Sequence, residues 1–226
     1  MSEVMNSAQA DDARPTLMLA IGFAAAVLVI LGILHILSPE FDPSWRMVSE
    51  YAHGRHGFVL SAMFMSWALS SWTLAYGLRP QLATRMGKIG FAFLVLAGVG
   101  QTMGAVFDID HALHGPAAII GIPSLAIAAM LISLSLAKQP EWQAARKPLL
   151  WAANLTWISI ALMALAFAIF IPSFKAAGGD MSGATHYAEL PAGTIAYVGW
   201  ANRFLFLTHC AFTITAAWQA LKLARR

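Results

Sequence analysis

Apolar residues in this chain come in long unbroken blocks, not in the three-and-four spacing of a surface helix. The first block covers residues 17–37, and others follow at 58–78, 89–107, 116–137, 149–171 and 192–223. Each is near the ~20 residues that carry a helix across a ~30 Å hydrocarbon core. The last is longer, which predicts a tilt or a projection beyond the bilayer. Backbone groups in lipid must be satisfied within their own segment, so the blocks predict an all-α fold, a six-transmembrane-helix bundle. The expected organisation is a flexible cytoplasmic tail over 1–15 and a single membrane domain over 16–226. The first block is too long for the apolar part of a signal peptide, so it reads as a retained span.

Packing signals lie inside these blocks. Gly100 and Gly104 form a small-xxx-small pair in the third, suited to close helix approach. Pro116 fits the first turn of the fourth helix. Trp45, Trp142, Trp151 and Trp200 fall near predicted span ends, as in an interfacial aromatic belt.

Composition supports a membrane protein. Of 226 residues, 59% are hydrophobic and 11% charged, against ~25% charged in soluble domains. The net charge of +3 comes from residues in the connections. No basic stripe interleaves with aromatics, so nucleic acid is not an expected partner. Cys210 is the one cysteine, which excludes an internal disulfide and reads as a buried, inert thiol.

Charge also gives an orientation. The tails and the intervals 79–88 and 138–148 hold Arg14, Arg79, Arg85, Lys88, Lys138, Arg146, Lys147, Lys222, Arg225 and Arg226. The other intervals and span ends hold Arg46, Arg55, Lys175 and Arg203. The positive-inside rule then puts both termini in the cytoplasm, with 38–57, 108–115 and 172–191 facing outward.

All the histidines fall on the outward side of that arrangement. They are His35, His53, His56, His111, His114, His186 and, deeper in the sixth block, His209. Phe107 to Gly115 alone holds Asp108, Asp110, His111 and His114. Asp110 and His114 are four apart. Were 49–56 α-helical, Ser49, His53 and His56 would share a face. Imidazole and carboxylate together suit zinc or another divalent metal, in a three-ligand site with one open position. The candidate ligands are Asp110, His114, His56 and His111. Glu50 is the candidate general base and Ser49 a catalytic partner. Arg203 and Tyr51 are candidates for binding substrate. A cation as deep as Arg203 needs a partner, and Glu50 or Asp110 is expected. The same residues also fit a plainer reading, in which boundary histidines are interfacial and Asp108 or Asp110 caps the fourth helix. His209 is either a site residue facing a polar cavity or a hydrogen-bonded link between helices.

Ser49-Glu50-Tyr51-Ala52-x-Gly54, Phe107-x-x-Asp110, His114 and Arg203 together resemble the DUF998 family of small six-span bacterial and archaeal membrane proteins. The resemblance runs from His35 to the C-terminus. It implies the six-span topology, a bacterial-type inner (cytoplasmic) membrane, and roles for Ser49, Glu50, Asp110, His114 and Arg203. It implies no reaction, since the family is named for its unknown function. Asp108 stands where a proline is common in that pattern, and the histidine-rich link marks His53, His56 and His111 as local additions. A looser analogy, in residue types alone, is to intramembrane hydrolases such as alkaline ceramidases, which use Ser, Asp and His around zinc.

Three functions fit these residues. One is a metal-assisted hydrolase of a lipid-linked substrate, in which the ion lowers the pKa of its bound water to ~7. The second is a non-enzymatic lipid-headgroup-binding or assembly protein. The third is a haem or copper redox protein, for which paired histidines on facing helices are missing. Membrane lipids are expected partners in each. A transporter lacks ionisable residues along an inner half-path.

Overall fold

The computed structural model describes residues 2–181 and 187–224, with side chains from residue 13 onward. Six long helices account for most of them: α1 (Ser2–Leu37), α2 (Gly57–Leu78), α3 (Arg85–Val106), α4 (His114–Leu136), α5 (Arg146–Ala176) and α6 (Val198–Leu223). All six include stretches long and apolar enough to cross a membrane. Short 3₁₀ turns at Val48–His53, Arg79–Gln81 and Pro140–Ala145 occupy the connections. No strand occurs among the described residues.

Several boundaries differ from the hydropathy reading. Helix α1 begins at Ser2, so the backbone read as a tail is helical and Pro15 lies inside it. An interior proline costs one backbone bond, and the long apolar segment beyond it carries the helix. Helix α4 starts at His114, two residues before Pro116. Helix α6 starts at Val198, not near residue 192. The residues before it are apolar because they pack, not because they are helical: Leu190 and Ala196 lie against Phe170, Phe174 and Val198. Helix α5 has 31 residues, about 46 Å at 1.5 Å per residue, so it exceeds the ~30 Å apolar core.

Sequential helices pack side by side, and α6 closes the ring against α1. In its most apolar window α6 is 61% buried, while α5 is 17% buried. Helix α6 is therefore central and α5 peripheral. Val29, Ile36, Phe58, Ile119 and Leu165 point outward, as a lipid-facing surface requires. Helices α3 and α4 approach each other backbone to backbone. A Cβ on Gly100 would lie 2.3 Å from the Gly121 nitrogen, whereas one on Gly104 would meet only the Phe64 ring, at 3.3 Å. Gly100 thus makes the close backbone approach, and a side chain at Gly104 would press on the Phe64 ring.

The two ends of the bundle are built differently. At the end with the 79–84 and 137–145 links, Thr84 caps α3 by accepting from Gly87 N at 3.0 Å and bonds Ser135 at 2.6 Å. Gln139 reaches the Gln81 carbonyl at 2.9 Å, and Ser133 donates to the Leu149 carbonyl at 3.3 Å, joining α4 to α5. The opposite end carries residues 38–56, 107–113, 177–181 and 187–197 and nearly all the candidate site residues.

The tryptophans divide. Trp151 and Trp200 are exposed at 68% and 53%, as a belt requires, but Trp45 and Trp142 are buried at 7% and 1%. Trp45 covers the Arg46 guanidinium, 4.0 Å from its ring centre.

Candidate functional site

The Ser-Glu-Tyr-Ala stretch is a 3₁₀ turn, Val48–His53, ended by Gly54. Three residues per turn replace 3.6, so the α-helical face joining Ser49, His53 and His56 does not form. His56 is instead the residue preceding α2. The turn sends Glu50 and Tyr51 into the protein, where both are buried.

Two arginines hold it there. Arg46 Nη1 meets Glu50 Oε2 at 2.6 Å, with both side chains buried, and Arg46 Nη2 donates to the Tyr187 carbonyl. The other Glu50 oxygen accepts from Met47 N at 2.8 Å, closing the turn from within. Arg203 Nη1 donates to the carbonyls of Arg46 (2.6 Å) and Gly199 (3.1 Å), Nη2 donates to the Tyr51 hydroxyl (3.1 Å), and Nε donates to His35 Nε2 (2.8 Å). His35 Nδ1 lies 2.6 Å from the Leu31 carbonyl. A carbonyl only accepts, so Nδ1 carries the ring proton and Nε2 is left to accept from Arg203. Gly199 lets the loop approach: a Cβ there would lie 2.4 Å from the Pro43 oxygen. Arg203 is thus engaged by His35, Tyr51 and two carbonyls, not by Glu50 or Asp110. Its role in this arrangement is to tie α1, the turn and α6 together.

The second acidic-histidine segment also separates. His53 Nε2 pairs with Asp110 Oδ2 at 2.8 Å at the protein surface. Asp108 accepts from His111 N at 3.1 Å, so it caps the link's own turn. Leu113, not an aspartate, precedes α4, and it gives no side-chain cap. The His111 ring stacks on Phe107 with centres 4.5 Å apart, and its Nδ1 accepts from Leu113 N at 3.1 Å. His56 packs edge-on near Phe58. His114 Nδ1 lies 2.9 Å from the Phe107 carbonyl. The expected ligands Asp110, His114, His56 and His111 are therefore not brought together. Among the described residues no three His, Cys, Asp or Glu side chains gather into a group that could hold a metal ion. His186 lies outside the described residues.

What converges is a cavity of about 470 Å³. Phe64 and Trp67 of α2, Gly100, Gln101 and Gly104 of α3, and Leu205 and Phe206 of α6 form its inner side. Gly115, Ala118 and Ile122 of α4 line it with Ile160, Met163, Ala164 and Phe167 of α5. Helices α4 and α5 touch at the opposite end of the bundle, through Ser133 and Leu149, and the cavity lies where they diverge. Gly115 and Ala164, on the two walls, are exposed, so the cavity opens between these helices. Its lining is apolar except at a few points. Gln101 bonds Ser71 at 2.8 Å, and Ser49, His114 and Asn202 stand toward the end with the turn.

These last three residues are incompletely used. Asn202 Oδ1 accepts from Val48 N at 2.8 Å, which fixes the amide and leaves its NH₂ donors without a partner among the described residues. His114 Nδ1 must donate to the Phe107 carbonyl, so the neutral ring keeps an acceptor lone pair on Nε2. Ser49 Oγ, half-buried in the cavity wall, has no hydrogen-bond partner among the described residues.

A family model matches residues 19–219. The chain belongs to the DUF998 family, proteins of unknown function. No curated protein and no solved structure matches it. In this member of the family the turn and its arginine ties lie within the matched region. Of the residues singled out from the sequence, Ser49 and His114 line the cavity, while Glu50, Tyr51 and Arg203 belong to the turn and its ties; His35 and Asn202 had been given no role. The Arg46–Glu50 spacing of four was a readable signal, although the segment between them is not an α-helix. Asn202 had no signal beyond its place next to Arg203. His209 does not line the cavity. It is fully buried, its Nδ1 lies 2.7 Å from the Leu205 carbonyl of its own helix, and its edge faces Trp67. The link from α6 to α5 is Thr208 to Ser159, at 2.9 Å.

Proposed function

We propose that this membrane protein binds a single lipid-like molecule, with its tail in the cavity and its polar group at Ser49, His114 and Asn202. The observation that carries this reading is the cavity itself, apolar along its length and polar at one end. Its volume of about 470 Å³ falls within the ~300–1,000 Å³ typical of small-molecule sites. Such sites are mostly apolar with a few placed polar groups that fix orientation. A gap between α4 and α5 suits entry from the bilayer. The positive-inside distribution supports a site end on the outer face of a bacterial-type inner membrane. A membrane-impermeant thiol reagent tests that orientation, and it is expected to label Asp110→Cys in intact cells.

Native mass spectrometry of the detergent-solubilised protein tests the binding. The wild type is expected to retain one lipid, and Ala118→Trp, which fills the cavity between α4 and α5, is expected to lose it. If Ala118→Trp keeps the same lipid at the same occupancy, the reading fails. The metal-assisted hydrolase has less support, because its ligands are held apart by other bonds. Among the described residues, no set fits a bound metal.

A further inference from the structure

We infer that the polar end of this cavity is a metal-free acyl-transfer site, with Ser49 as nucleophile, His114 as base and Asn202 as oxyanion donor. The inference rests on the lipid-binding reading and names the class of ligand: a lipid whose acyl chain is held through an ester. Each residue brings a group that the fold has left open. Ser49 lines the cavity, and its hydroxyl has no hydrogen-bond partner among the described residues. His114 lines the same cavity, and its Nδ1 is held 2.9 Å from the Phe107 carbonyl. That carbonyl does for His114 part of what a carboxylate does in a serine–histidine–aspartate site: it fixes the tautomer and leaves Nε2 as the acceptor. Asn202 is fixed through its oxygen, 2.8 Å from Val48 N, so its NH₂ group is the free end. A preset amide donor is what a developing oxyanion requires.

The turn explains why Ser49 and Asn202 are neighbours. Val48 N is bonded to Asn202, and Ser49 is the next residue. Glu50 and Tyr51, the two after it, are fastened by Arg46 and Arg203. The one unfastened side chain of this run, Ser49, lines the cavity. Glu50 is spent on Arg46 and Met47 N, so the base falls to His114. Glu50 and Arg203 are positioning residues.

The chemistry balances without a cofactor. Ser49 Oγ bonds to the acyl carbonyl carbon while its proton passes to His114 Nε2. Asn202 donates to the oxygen that takes up negative charge. The ester C–O bond then breaks, and the departing alkoxide takes the proton from His114. Water attacks the acyl-serine ester, gives its proton to His114 and releases the fatty acid, and Ser49 recovers its hydrogen from His114. An alcohol in place of water makes the step a transacylation.

A dodecyl fluorophosphonate, which phosphonylates an activated serine, tests this on the full-length protein in nanodiscs. The expected label is at Ser49, located by peptide mass spectrometry and absent in Ser49→Ala. His114→Asn is expected to slow labelling by about 10²–10⁴-fold. Asn202→Asp keeps the acceptor for Val48 N but loses the donor, and is expected to slow it by about 10²–10³-fold. Melting temperatures in detergent close to wild type in all three variants separate chemistry from folding. A wild type that retains lipid but is not labelled at Ser49 overturns the acyl-transfer site and leaves the binding reading. So does an unchanged labelling rate in His114→Asn. A wild type that retains no lipid overturns the binding reading and this one with it.

Discussion

Ser49 and Glu50 are neighbours in one turn, and the structure treats them in opposite ways. Glu50 is saturated, with one oxygen on Arg46 at 2.6 Å and the other on Met47 N at 2.8 Å. Ser49 faces a cavity with its hydroxyl unspent. The same division separates Arg203, with donors on four acceptors, from Asn202, with half of its amide free. A buried charge already engaged by its neighbours holds structure together. A polar group with capacity left, at the end of an apolar cavity, is equipped to meet something from outside. In this bundle the charged residues form the lock and the neutral ones face the opening.

The sharpest test of that division is Glu50→Ala. It leaves Arg46 buried without its carboxylate, a change expected to cost about 3–5 kcal/mol. Thermal unfolding in detergent should show it as the largest loss among these variants, and a melting point equal to wild type would erase the distinction between lock and opening. Next comes Gly100→Ala, whose added Cβ would sit 2.3 Å from Gly121 N. Forcing α3 from α4 is expected to cost about 1–3 kcal/mol, read from the same melts. It should also reduce lipid retention, because Gly100 and Gly121 both line the cavity.

Ser49→Ala removes no protein–protein hydrogen bond among the described residues, so stability should stay within about 0.5 kcal/mol of wild type while fluorophosphonate labelling disappears. A large loss of stability there would place Ser49 in the lock. The smallest effect is expected from Asp110→Asn. The His53–Asp110 pair is short at 2.8 Å, but the Asp110 side chain is 53% exposed. Such pairs contribute about 0–1 kcal/mol, and the difference from wild type should shrink as salt is raised.

Some of the site was legible in one dimension. Long apolar blocks mark the spans, and the gathering of histidines and carboxylates between them marks the end of the bundle that holds the cavity. Ser49, Glu50, Tyr51, His114 and Arg203 stand out because polar residues near a membrane demand a reason. Their roles were not legible. Glu50 as base and Arg203 as headgroup clamp are natural readings of bare charges, and only the partners Arg46, His35 and Tyr51 show those charges already met. The metal set Asp110, His114, His56 and His111 looked plausible because spacing within a segment was readable. Whether 49–56 winds as an α-helix or a 3₁₀ turn was not, and that choice decides which side chains share a face.

The sequence by itself determined six apolar helices, because each span's length and backbone bonding are local requirements of a bilayer. It also determined which connections are chemically rich. The tertiary structure alone decided which polar groups are consumed. Hydrogen bonds such as Arg203 to His35 and Val48 to Asn202 join residues more than 150 positions apart, and no local pattern encodes them. The cavity arises in the same way, where α4 and α5 diverge and small residues leave space beside Phe206 and Trp67. It is a property of packed surfaces, set by what neighbouring helices fail to fill.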